Sequence, residues 1–235
     1  MSSKKVLIVV TSHDRLGNTG KHTGYYLPEV THPYYALLDA GVAVDIASPK
    51  GGAAPMDPSS GDRKDPTNAR FLDTQADRDK AAHTIRLADV ATSTYDAILF
   101  AGGHGTMWDF REDRDVQRLA AAIHDAGGVV AAVCHGPAAL VDVRLSSGDY
   151  LVAGKRVTGF SNDEEEAAKL TAVVPFLLES ALVERGGRYQ KADGLWKEHV
   201  VTDGRLVTGQ NPASAAGVGR AVAELIQSAE KEERS

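Results

Sequence analysis

The one cysteine of the chain, Cys134, stands in the run VVAAVCHGPAAL, with small residues two places to either side, Ala132 and Gly136. The thiolate is the attacking form of cysteine, so a thiol placed where it can ionise is a nucleophile. The apolar run before Cys134 reads as a buried strand and the stretch after it as a helix, which puts the sulfur on a sharp strand-to-helix turn. Such a turn brings its flanking positions together and needs them small, as at a nucleophile elbow. It would hold the cysteine in a strained backbone at the carboxyl edge of a sheet, where open α/β folds bind ligands. There a helix amino terminus favours thiolate. The competing identity is a small core residue, the usual fate of a lone cysteine in an apolar strand. The small flanks and the His-Gly-Pro that follows favour the reagent. His135 is either its acid–base partner or a turn residue with its ring in solvent.

A second glycine-rich run, AGGHGTMWDF, follows another apolar stretch directly. It lacks the G-x-G-x-x-G spacing of dinucleotide binders and the lysine of a phosphate loop, so it does not point to a nucleotide. Beside the elbow it could form an anion hole, the Gly103 N–H acting with that of His135 on a developing oxyanion. His104 and Trp108 would then wall a pocket, although Trp108 fits a core position equally well.

These residues need a scaffold. Val6 to Val10, Val42 to Ala47, Ala97 to Ala101 and Val129 to Val133 are continuous apolar runs, as expected of strands covered on both faces. Helical patterns at Tyr34 to Ala40 and Val116 to Ala126 lie between them and stop at Gly41 and Gly127. That alternation predicts a parallel α/β sheet with right-handed crossovers. Later, Tyr150 to Thr158 and His199 to Thr208 read as short strands, the second turning at Asp203 and Gly204. Asn211 to Gln227 reads as a closing helix, with Asn211 as its cap and Pro212 at its first position. Residues 49–68 read as a long loop, and 49–82 as an insertion or lid on one domain spanning 1–235.

The chain has 235 residues, 43% of them hydrophobic and 25% charged, which fits a folded domain and excludes a disordered or fibrous one. Its net charge of −6 argues against nucleic acid or an anionic membrane as partner. The amino-terminal apolar run is too short for a signal peptide or a membrane span. One cysteine allows neither an internal disulfide nor a multi-cysteine metal site, the profile of a cytoplasmic protein.

The motifs AGGHGT, AVCHGPA, TGFSNDEE and DGRLVTGQNPAS, in this order, resemble the ThiJ/PfpI superfamily. Within it they are most similar to the class that holds the heat-shock-protein-thirty-one-like chaperones and the glutathione-independent glyoxalases (glyoxalase III). The resemblance runs from Lys4 to about Ala223. It implies a flavodoxin-like parallel-sheet sandwich with a nucleophile elbow and a short added β-hairpin region. It also implies a homodimer and the conversion of a small reactive 2-oxoaldehyde to a 2-hydroxy acid without cofactor or metal. Carried over residue by residue, it makes Cys134 the nucleophile, sets Glu29 beside the sulfur as a proton carrier, and gives His135 an orienting carboxylate at Glu165. On their own, Glu29 is a favourable acid at a helix start, and residues 161–166 form a capping box with an acidic first turn. Three consecutive glutamates leave Glu164 and Glu166 as alternatives to Glu165. The same elbow would serve an amidase, peptidase or deglycase or a redox sensor, and the class also contains stress-response holdases. The extra small domain and metal cluster of longer relatives have no counterpart in the sequence.

Overall fold

The computed structural model describes residues 4–233. Its strands are β1 (Lys5–Val9), β2 (Ala43–Ser48), β3 (Ile85–Arg86), β4 (Ala97–Phe100), β5 (Val129–Val133), β6 (Arg156–Val157), β7 (Arg188–Tyr189), β8 (Val200–Asp203) and β9 (Leu206–Gly209). Seven of them form one sheet in the order β3-β2-β1-β4-β5-β9-β8, in which only β8 runs antiparallel. The central parallel strands β2, β1, β4, β5 and β9 follow the flavodoxin-like 2-1-3-4-5 order. Every residue of β4 and β5 is buried, because helices cover both faces of the sheet and no strand position looks at water.

The helices are α1 (Leu27–Asp39), α2 (Pro66–Asp73), α3 (Gln75–Ala82), α4 (Thr106–Asp109), α5 (Arg114–Asp125), α6 (Asn162–Ala167), α7 (Leu178–Glu184) and α8 (Ala215–Glu233). α1 starts at Leu27–Pro28, about two turns earlier than its apolar stripe from Tyr34 suggests, since proline is tolerated where an N–H has no helical partner. α1 and α8 pack on one another, and α8 also lies against β5 and β9. No helix among the described residues is long and apolar enough to cross a membrane.

Four local expectations change. The hairpin turning at Asp203 and Gly204 is not an addition beside the sheet: β9 pairs in parallel with β5 and β8 forms the antiparallel edge. The stretch from Tyr150 to Thr158 contributes only β6, which pairs with β7 in a separate two-stranded sheet, and its first half is turns. Residues 49–68 do not stay irregular: α2 begins at Pro66, capped by Asp65, whose side chain accepts from the N–H groups of Thr67 and Asn68. The turn after Cys134 is a five-residue 3-10 helix, Gly136–Leu140, so the α-helical dipole expected there is reduced to one short turn.

Candidate active site

Cys134 sits immediately beyond β5 with φ +59°, a left-handed backbone that a side chain disfavours by about 1–2 kcal/mol. Neighbours hold it there. Its N–H donates to Gly209 O at 2.9 Å, and its carbonyl accepts from Phe160 N at 2.8 Å. A β-carbon on Gly136 would lie 2.1 Å from Phe100 O, which is why that flank must be bare. Thr106, at the start of α4, ties the glycine loop after β4 to the elbow, its hydroxyl lying 3.0 Å from Gly103 O and 3.1 Å from His135 O.

The elbow turns the His135 ring back onto the cysteine. Cys134 Sγ and His135 Nδ1 are 3.4 Å apart, and His135 Nε2 lies 2.7 Å from Glu165 Oε2. Of the three consecutive glutamates it is therefore Glu165 that meets the imidazole. Glu166 is exposed, and Glu164 closes the capping box with Ser161. The second Glu165 oxygen faces His104 Nε2 at 2.9 Å. Burial alone would raise the Glu165 pKa, but the hydrogen bonds from His104 and His135 outweigh it and bring it down to about 2. An ionised carboxylate can only accept, so both imidazoles must carry their proton on Nε2. Burial, with His104 nearby, pushes the His135 pKa down to about 4 against the pull of Glu165. At neutral pH His135 is thus an uncharged imidazole whose bare Nδ1 faces the thiol.

Glu29 comes from the first turn of α1 and is completely buried. Neither of its oxygens has a hydrogen-bond partner of good geometry. Gly102 lets it approach: a β-carbon there would fall 2.3 Å from Glu29 Oε2. Burial raises the Glu29 pKa to about 8, the Cys134 thiol and the Gly102 N–H opposing only part of the rise. Burial likewise pushes the Cys134 thiol up, and a charged Glu29 adds to the rise. Below pH 8 the carboxyl holds its proton, so that repulsion is absent and the carboxyl can donate towards sulfur.

These groups open on a cavity of about 650 Å³ lined in part by Glu29, Gly103, His104, Cys134 and His135. Of the two expected oxyanion donors, the N–H of His135 is directed at the Cys134 sulfur and Gly103 lines the cavity beside it. Trp108 is a correction. It does not line the cavity but stacks on His13, ring centroids 5.2 Å apart, and supports the loop at Gly17 from behind. The indole on the cavity wall is Trp196, which the sequence offered no motif to single out. Phe160, the aromatic residue of the TGFSNDEE motif, lies with its ring centroid 4.2 Å from that of His135. His22 also lines the cavity. Asn211 stands at the cap position without capping; its amide instead donates to Glu164 Oε1 and Lys197 O. The only donor set among the described residues suited to a metal is His104, His135 and Glu165, whose ligand atoms lie within 4.8 Å of one another. Both imidazole protons there are already committed to the carboxylate, so a cation would have to displace two of them.

Three comparisons bear on this site. The model of the DJ-1/PfpI family matches residues 22–225. The glutathione-independent glyoxalase HSP31 of Saccharomyces cerevisiae is 34% identical over 228 residues, 92% of this chain and 94% of its own. Among solved structures, the 24 kDa rapid encystment protein of Francisella tularensis superposes with a TM-score of 0.91 at 43% identity, covering 95% of this chain and 99% of its own. Glyoxalase III of Candida albicans superposes with a TM-score of 0.87 at 29% identity, covering 94% and 97%.

Proposed function

The chain belongs to the DJ-1/PfpI family, and we propose that within it this protein is a glutathione-independent glyoxalase, converting methylglyoxal or a related 2-oxoaldehyde to the 2-hydroxy acid. The observation that carries the reading is the pair of groups flanking Cys134: a neutral imidazole on one side and, on the other, a buried carboxyl that has no strong donor and whose pKa is raised to about 8. The names of its full-length relatives support the same chemistry.

The steps follow from that arrangement. His135 Nδ1 takes the thiol proton as sulfur bonds to the aldehyde carbon, and the resulting oxyanion is met by the N–H groups of Gly103 and His135. His135 returns the proton to that oxygen, completing a hemithioacetal. Glu29, ionised, removes the hydrogen of the former aldehyde carbon as a proton, leaving an enediolate whose first oxygen keeps its proton. The proton on the first oxygen moves to the anionic second oxygen, and Glu29 delivers its own to the second carbon, giving a thioester. Water then attacks the thioester with His135 as base, releasing the hydroxy acid and restoring the thiol. One water is consumed and no net oxidation occurs. Glu165 keeps His135 in the tautomer this sequence requires.

An amidase or peptidase would use the same thiol and imidazole but would leave the buried Glu29, its pKa raised to about 8, without a task. A holdase would work through exposed apolar surface; the large apolar side chains exposed among the described residues are Leu38, Val183, Leu195 and Trp196. A cytoplasmic homodimer remains part of the proposal, as does a single domain with 49–82 as a lid. Asp57, Pro58 and Ser59 on the cavity wall support the lid reading. The test incubates purified protein with methylglyoxal in the absence of glutathione and assays lactate. Lactate from the wild type and none from Cys134→Ala is expected. No lactate from the wild type would overturn the activity, and lactate from Cys134→Ala would overturn the mechanism.

A further inference from the structure

Methylglyoxal has three carbons and two oxygens, whereas cavities of roughly 300–1,000 Å³ enclose drug-sized ligands. At about 650 Å³ the cavity has room far beyond the reacting atoms. The way that room is walled has a direction. From His135 the aromatic surface continues to Phe160, centroids 4.2 Å apart, and from Phe160 to Trp196 at 5.6 Å. Leu16, Leu170 and Pro58 are among the apolar residues that line the same cavity. A substrate whose aldehyde carbon meets Cys134 would lay its substituent along these rings.

Trp196 lies on an exposed segment without regular structure, yet buried side chains fasten that segment at several points. Gln210 Oε1 accepts from Ala192 N at 2.8 Å, Asn211 Nδ2 donates to Lys197 O at 2.8 Å, and Ser214 Oγ accepts from His199 N at 3.0 Å. The central fastener is Glu164 Oε1, which accepts from Trp196 N at 3.0 Å and from Asn211 Nδ2 at 2.8 Å. It holds Trp196 at φ +61°, a conformation that an unfastened tryptophan would leave. Glu164 is wholly buried and precedes Glu165, so the first turn of α6 holds the imidazole with one carboxylate and the indole wall with the next.

We propose that Phe160 and Trp196 form a subsite for an aromatic or similarly bulky apolar substituent of the 2-oxoaldehyde, with Trp196 as its specificity-determining wall and Glu164 as the positioning residue that sets it. The subsite rests on the glyoxalase reading for its chemistry but not for its binding. The experiment compares phenylglyoxal with methylglyoxal in the wild type, Trp196→Ala, Trp196→Phe and Glu164→Gln. The wild type should favour phenylglyoxal in kcat/KM. Trp196→Ala should lower the phenylglyoxal-to-methylglyoxal ratio about tenfold, mainly through the phenylglyoxal KM, the scale of a lost apolar wall. Trp196→Phe should restore most of that ratio, and Glu164→Gln should shift it in the direction of Trp196→Ala.

A ratio unchanged in Trp196→Ala would overturn the subsite. Equal losses on both substrates in Glu164→Gln, carried by kcat and by thermal stability, would reduce Glu164 to a folding role and overturn its positioning role. A binding arm uses Cys134→Ala and compares mandelate with lactate by calorimetry. Tighter binding of mandelate, lost on further replacement of Trp196 by alanine, supports the subsite; equal affinities overturn it. Turnover of neither aldehyde by the wild type would sink the glyoxalase reading alone, and the binding arm would then decide the subsite by itself.

Discussion

The first turns of α1 and α6 each send a buried glutamate towards the same cysteine–histidine pair, and the two carboxyls end in opposite states. Glu165 faces two imidazole donors and titrates near 2, whereas Glu29 faces none of good geometry and titrates near 8. Both positions are helix starts, where the dipole offers an acid only about 0.3–1 kcal/mol, so the dipole cannot separate them. The neighbours do. A carboxylate supplied with donors becomes a fixed negative charge that orients a base; one denied them becomes a group that takes up and gives back a proton near neutral pH.

Breaking the α1 side should have the largest effect. Glu29→Gln keeps the shape of the side chain and removes its proton traffic, so kcat on methylglyoxal should fall by about 10²–10⁴-fold. In the wild type kcat/KM should rise with pH through about 8, because Glu29 must be ionised to accept the carbon-bound hydrogen. A profile with that limb intact in Glu29→Gln would assign the limb to another group. Breaking the α6 side should cost somewhat less: Glu165→Gln loses the charge and one of two accepting oxygens, and kcat should drop by roughly 10²-fold as His135 loses its tautomer and orientation. The limb near pH 8 should survive there, since it belongs to Glu29.

The smallest effect, and the one that separates the two carboxyls without any substrate, is on stability. The folded pKa of Glu29 stands above its unfolded value near 4.5, so its contribution is fully present below pH 4.5 and is lost as pH rises through about 8. The folded pKa of Glu165 stands below that value, so its contribution is present above pH 4.5 and lost as pH falls through about 2. Glu29→Gln should therefore raise Tm at pH 9 by roughly 5 °C or more and change it little at pH 5. Equal shifts at both pH values in thermal melts would show that the gain does not come from removing a buried charge.

Residues that obey local rules were readable in the sequence. Continuous apolar runs marked β1, β2, β4 and β5 because strands covered on both faces need no polar alternation. Small flanks marked the elbow because a β-carbon at Gly136 has nowhere to go. The glutamate register could not be read from composition: a helix rotates about 100° per residue, so three adjacent carboxyls face three surroundings, and only the packed neighbours select among them. Trp196 lay further out of reach. It reaches the cavity through Glu164, Gln210, Asn211 and Ser214, which are distant in the chain and carry no pattern announcing a shared segment. Trp108 failed for the converse reason. It follows the glycine loop in sequence, but the turn of α4 directs its ring towards His13 and away from the cavity.

The left-handed backbone of Cys134 has a consequence for how the chain can drift. Glycine is the residue that position would accept without strain, and any other L-residue there forgoes about 1–2 kcal/mol. A lineage that no longer needed the thiol would gain stability by losing it, and serine or alanine would not recover that gain. Folding thus exerts a steady pressure against the side chain at the centre of the site, and only use can hold it in place.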